Sequence, residues 1–178
     1  MTPFEFSAVF DRIITRRAQD VVRNWESNQK FTEFLLCEKD PKGVCPELAD
    51  VFGLRYCREY WRSDAVMFER LDEKHFASGG TYAEHLSVAI EVENDPWSAK
   101  DEVSKLMTLN TPLRVLITYP NKKYQSLLSI WTEIVTKADW ALDASTLRRL
   151  LLVFGFLEKK TPRWEYLTYC QGEFVKIE

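Results

Sequence analysis

Cysteine and histidine are scarce. The 178 residues include four cysteines and two histidines. Cys37, Cys45, Cys57 and Cys170 form no Cys-x-x-Cys pair, which argues against a structural zinc framework. Reduced, packed thiols in a cytoplasmic protein are the expectation. No apolar run approaches membrane-spanning length, and the N-terminus lacks the charged-then-apolar pattern of a signal peptide. A Gly-rich phosphate loop, a nucleophile elbow and a metalloprotease motif are all missing. Neither sign of charge dominates: 24 Lys and Arg stand against 27 Asp and Glu, for a net charge of -3. That balance argues against a broad nucleic-acid-binding face and leaves room for a local basic groove.

Apolar residues are plentiful, at 46%, with 13% aromatic. A chain of this length and composition folds as one domain, residues 1–178, with a substantial core. "TPFE" opens a helix: Thr2 caps, Pro3 suits the first turn and Glu5 completes a capping box. Apolar residues from Phe6 through Trp25 keep one helical stripe. "KFTEFLL" and "PELADVF" predict two shorter helices. "YCREYW", "SDAVMFERL" and "HLSVAIEVE" predict strands, the third with Val88, Ile90 and Val92 on one face and Ala89, Glu91 and Glu93 on the other. "NDP" predicts a helix capped by Asn94 or Asp95. "PLRVLITYP" reads as a buried strand, and "KYQSLLSIWTEIVTKA" as an amphipathic helix. "TLRRLLLVFGFLE" and "RWEYLTYC" follow as strands, with "EFVKI" as a last one. The order gives an α/β domain with a mixed central sheet flanked by helices.

Two glutamates at i and i+2 on a strand point the same way, so Glu91 and Glu93 share a face. If "SDAVMFERL" and "HLSVAIEVE" pair antiparallel across the Gly79–Gly80 turn, Asp64 falls roughly opposite residues 92 to 95. Its carboxylate then converges with Glu91 and approaches Glu93. Clustered carboxylates raise each other's pKa and are costly without a cation. Oxygen ligands suit Mg2+ or Mn2+, which would leave room for waters and a substrate phosphate. That chemistry fits phosphodiester hydrolysis by metal-activated water. The competing reading is a solvated strand edge, with Asp64 in an ion pair beside Arg62.

Asp64 leading an apolar strand, an acidic pair ending the next, and a helix and a strand after them resemble the PD-(D/E)xK nuclease superfamily, the restriction-endonuclease-like fold. The resemblance covers roughly residues 40 to 120. It implies an α-β-β-β-α-β core, here with an N-terminal helical segment and added C-terminal strands. Asp64 and Glu91 take the metal-binding positions, and the Val92 carbonyl joins the metal shell. Glu93 stands where the family usually has lysine, a variation that some restriction enzymes of this fold share. Glu93 would then act as a general base or hold a second metal. Alternatively, Lys105, or else Lys100, supplies the missing positive charge from the following helix. Glu47 is the candidate for a glutamate from the first core helix. The implied partner is nucleic acid, DNA ahead of RNA, with no membrane and with a homodimer allowed. The rival reading is a nuclease-like domain that no longer cuts and serves as a binding or assembly module.

Other residues carry less. His85 lies about 20 Å along the strand from the glutamates and reads as a strand-start histidine. Tyr119, Lys122 and Lys123 end a strand, where α/β sheets often form a crevice. Arg148, Arg149, Lys159 and Lys160 read as solvated. Trp25, Trp97 and Trp131 fit apolar helix faces and read as core rather than as base-stacking residues.

Overall fold

A computed structural model describes residues 1–69, 86–95, 97–119, 124–139 and 149–177. The Gly79–Gly80 turn, His85, Pro96, Lys122, Lys123 and Arg148 lie outside the described residues. Seven strands form one mixed sheet in chain order: β1 (Arg55–Tyr60), β2 (Ser63–Phe68), β3 (Leu86–Glu93), β4 (Leu113–Thr118), β5 (Leu150–Glu158), β6 (Thr161–Cys170) and β7 (Glu173–Lys176). β3, β4 and β5 run parallel, and every other neighbouring pair is antiparallel. The parallel pairs require crossovers. The helices that supply them are α5 (Ala99–Met107) and α6 (Gln125–Asp139). The other four described helices precede the sheet: α1 (Pro3–Arg16), α2 (Ala18–Asn24), α3 (Asn28–Leu36) and α4 (Val44–Val51).

Strand alternation divides the core into two layers. Ala65, Met67, Val88, Ile90, Val115 and Ile117 pack with α1–α4. Val66, Phe68, Ala89, Leu116, Leu152 and Phe154 pack with α5 and α6 around the fully buried Trp131. The sheet is therefore covered on both faces, as its continuous apolar strands require.

The α1 start is as the sequence indicates. Thr2 Oγ1 accepts from the Glu5 N–H at 3.2 Å, and Glu5 Oε2 accepts from the Thr2 N–H at 2.7 Å. The single long helix expected through Trp25 is instead broken at Arg17, which leaves helical geometry at φ -102° and ψ 24°. The Arg17 guanidinium lies 4.6 Å from the Phe34 ring centroid and donates to the Lys42 carbonyl at 2.8 Å. Those contacts anchor the break to α3 and to the loop before α4. The helix expected directly after "NDP" starts later, at Ala99, with Ser98 as its N-cap. Asp95 first makes a turn, with its Oδ1 accepting from the Trp97 N–H at 3.0 Å.

Candidate active site

Glu91 is the fully buried acid of the sheet. β3 places it on the α5 face with Ala89, next to Leu116 of β4. The β2–β3 ladder pairs Ala65 with Ile90, so one further antiparallel step brings Asp64 opposite Glu91. At that point Asp64 Oδ2 accepts from the Val92 N–H at 2.8 Å. The half-buried carboxylate thereby satisfies a main-chain donor at the end of the ladder.

α5 completes the cluster. Ala99, Val103, Leu106 and Met107 are its buried face. Glu102 and Lys105, three residues apart, share a helical side. Lys105 Nζ lies 2.8 Å from Glu91 Oε2 and also contacts Glu102 Oε2. Neither Glu91 oxygen has a hydrogen bond of good geometry, so the Lys105 contact is an ion pair only.

One ammonium thus faces three carboxylates. Burial pushes the Glu91 pKa up to about 8, the nearby Asp64 charge adds to the rise, and the Lys105 contact opposes it. Burial also raises Asp64, partly offset by the Val92 N–H and the Lys105 charge, while the Glu102 charge pushes it further up. The Lys105 pKa is raised as well. Burial is the largest influence and acts against that rise, but contacts with Glu102 and Glu91 together outweigh it.

The other candidates lie apart from this cluster. Glu93 Oε1 accepts from the Asp95 N–H at 2.8 Å, which engages it in the turn after β3. Lys100 is exposed on the first turn of α5. Glu47 forms ion pairs with Arg16 and Arg17, within the N-terminal helices. Tyr119 is buried against Trp25 and Phe31, and Lys159 and Lys160 form the exposed β5–β6 turn. Trp25 packs against Phe31 and Trp131 is core, but Trp97 is 64% exposed and is not a core residue. Its helix begins two residues after it, so the apolar face that the sequence pattern assigned to it does not exist. Glu102 is the member of the cluster that sequence reasoning missed. Its i, i+3 spacing from Lys105 was the available signal.

Among the described residues, no group of three or more His, Cys, Asp or Glu side chains is arranged to hold a metal ion. The donor set nevertheless suits magnesium, which typically takes one or two carboxylates and keeps several waters. The buried Glu91 Oε1 has no hydrogen-bond partner, so it is the oxygen open to such an ion. A separate cavity of about 560 Å³ opens between α2 and α3, lined by Arg17, Asp20, Arg23, Lys30 and Glu33 among others. Its mixed charges are drawn into ion pairs such as Arg17–Asp20, Arg23–Asp20 and Glu33–Arg58, so it is the weaker candidate.

No family model matches the chain, and no curated protein matches it. Among solved structures, the central domain of yeast acetyl-CoA carboxylase shows a distant likeness, with 12% identity and a TM-score of 0.42. The match covers 89% of this chain and 29% of that one, so the chain spans less than a third of the other's length. A likeness at that level carries no functional argument. No helix among the described residues is long and apolar enough to cross a membrane.

Proposed function

We propose that the protein is a metal-dependent phosphodiesterase acting on nucleic acid, built on a restriction-endonuclease-like core. The observation that carries the reading is Lys105, whose ammonium stands 2.8 Å from Glu91 although it comes from a helix and not from the strand position that Glu93 occupies. The order α4–β1–β2–β3–α5–β4 supports the same reading, since it is the order that the resemblance implies.

Asp64 and Glu91 are the residues that would hold magnesium or manganese. When bound, such an ion supplies a water of lowered pKa and charge stabilisation at the phosphate. Asp64 is oriented by the Val92 N–H, which limits its freedom before any ligand arrives. Lys105 is placed to offset negative charge at the phosphate, and Glu102 holds Lys105 beside Glu91. Glu93 keeps the turn after β3 in place through Asp95.

The test is cleavage of a DNA and RNA panel with magnesium or manganese. Asp64→Ala, Glu91→Ala and Lys105→Met should each abolish it, and Lys160→Ala should leave it nearly intact. Equal residual cleavage by Asp64→Ala protein would identify a contaminating nuclease and sink the proposal.

One observation favours a second reading, a nuclease-like domain that binds without cutting. Lys105 already provides Glu91 with a counter-charge, so the acids can persist without a cation. A melting midpoint that does not respond to either metal, together with retained binding of nucleic acid, would select that module.

A further inference from the structure

Trp61 and Trp97 are two large apolar side chains left in solvent, 87% and 64% exposed. Both belong to the sheet end that carries the carboxylates. Trp61 lies in the two-residue turn between Tyr60 and Ser63, three residues before Asp64. Trp97 lies four residues after Glu93, and its main chain is held back toward that strand end. Glu93 accepts from the Asp95 N–H, and Asp95 in turn accepts from the Trp97 N–H. Trp61 therefore lies within roughly 10 Å of Asp64 along the backbone.

The backbone at Trp61 has φ 58°. A bulky side chain rarely adopts that conformation, and holding it there costs on the order of 1–3 kcal/mol. Glycine is the usual residue at the first position of a hairpin turn with positive φ. At 87% exposure the Trp61 ring returns little burial energy to the fold beyond its stacking on Tyr60, so the folded core does not account for it.

The surroundings indicate what it meets. Arg62 and Lys100, both exposed, are near neighbours of the two rings in sequence. Exposed Glu59, Asp95 and Asp101 are opposing charges there, and Glu59 is drawn toward Arg58 at 3.7 Å. Asp95 Oδ1 is already engaged by the Trp97 N–H. Trp61 stacks on the Tyr60 ring, with centroids 6.5 Å apart and planes 18° from parallel; otherwise the two rings stand among charged and polar neighbours, unlike the contiguous apolar centre of a protein interface. Exposed aromatic faces with nearby cations match unpaired bases on a phosphate backbone.

Resting on the nucleic-acid reading above, we infer that Trp61 and Trp97 are stacking platforms for unpaired bases, and that the substrate class is single-stranded nucleic acid or a single-stranded segment beside the Asp64–Glu91–Lys105 cluster. Anisotropy of labelled oligothymidylate in EDTA at low salt tests this without cleavage. Trp61→Ala and Trp97→Ala should each weaken binding about tenfold, and Trp97→Phe should restore most of the affinity. Trp61→Gly should leave the melting midpoint unchanged or raised while weakening binding, a combination that a merely structural tryptophan would not give. Fully paired duplex should bind less tightly than the single strand.

Unchanged affinity in both alanine variants, a preference for duplex, or no binding by the wild type would each overturn the inference. An unchanged affinity would assign the rings to a protein partner instead. Cleavage that persists with unaltered affinity in the tryptophan variants removes the platforms and leaves the nuclease. Tryptophan-dependent binding without cleavage removes the nuclease and leaves the platforms.

Discussion

At the scale of single residues, the cluster makes stability depend on pH. Glu91 holds its proton more tightly in the folded chain than a free carboxylate does. Its contribution is therefore fully present below the ordinary carboxylate range and is lost as pH rises toward about 8. The wild-type melting midpoint should fall between about pH 5 and pH 8, and Glu91→Gln should flatten that fall, with roughly 2–4 °C per kcal/mol as the scale. Calorimetry across that range checks it; parallel curves for the two proteins would contradict the assignment. Adding magnesium or manganese near neutral pH should raise the wild-type midpoint, by about 2.7 kcal/mol of stability at a hundred times the dissociation constant. Asp64→Asn should remove most of that response, with sodium at matched ionic strength as the control.

The period of a strand is two, so the shared face of Glu91 and Ala89 was legible in the letters, as was the approach of Asp64. Whether Lys105 points inward depends on the start and roll of α5. Sequence patterning gives neither to within one residue, which explains why Lys100 and Lys105 both stood as candidates and why Glu102 went unnoticed. Glu93 shares its parity with Glu91, but parity does not show that the next turn engages it.

At the scale of elements, ends prove harder to read than middles. The α1 capping box is local chemistry among adjacent residues, so "TPFE" announces it. Thr2→Ala should cost about 1 kcal/mol, seen as a lower urea midpoint at unchanged slope. The break at Arg17 leaves no such trace. The apolar period continues through it, and the contacts that anchor it come from Phe34 and Lys42, far along the chain. The α5 start was misplaced for a related reason. The letters offer Asn94 or Asp95 as the helix cap, yet the Asp95 carboxylate makes a turn that ends at the Trp97 N–H. That one displacement changes Trp97 from a presumed core residue to an exposed ring. The β5–β6 and β6–β7 hairpins turn where the strand pattern breaks, although only Gly172 among their turn residues is of a type that positive φ favours. Lys159, Lys160, Gln171 and Gly172 all have positive φ, as tight hairpin turns require.

At the scale of the whole molecule, the mixed α/β class was legible because strands with apolar letters on both faces must be covered twice. Which helices cover which face was not, since layer assignment follows from long-range packing. Gly155 marks how closely the N-terminal layer sits on the sheet. A Cβ there would come within 2.7 Å of the Trp164 ring and 2.9 Å of Trp25. Gly155→Ala should therefore cost about 1–3 kcal/mol through overpacking, with a lower melting midpoint. It should leave metal binding and cleavage unchanged once folded, because that ring cluster lies across the sheet from α5. Arg114 is the corresponding device on the other face. It is wholly buried on β4, donates from Nε to the Leu106 carbonyl at 3.0 Å and from a terminal nitrogen to the Leu109 carbonyl at 2.5 Å. These bonds work like a key in a slot. A slide of one residue, about 1.5 Å along the helix, would move both carbonyls away from the buried guanidinium. The strand beside Glu91 thus indexes the helix that bears Lys105, so the spacing of acid and ammonium is machined into the sheet as well as drawn in by the ion pair.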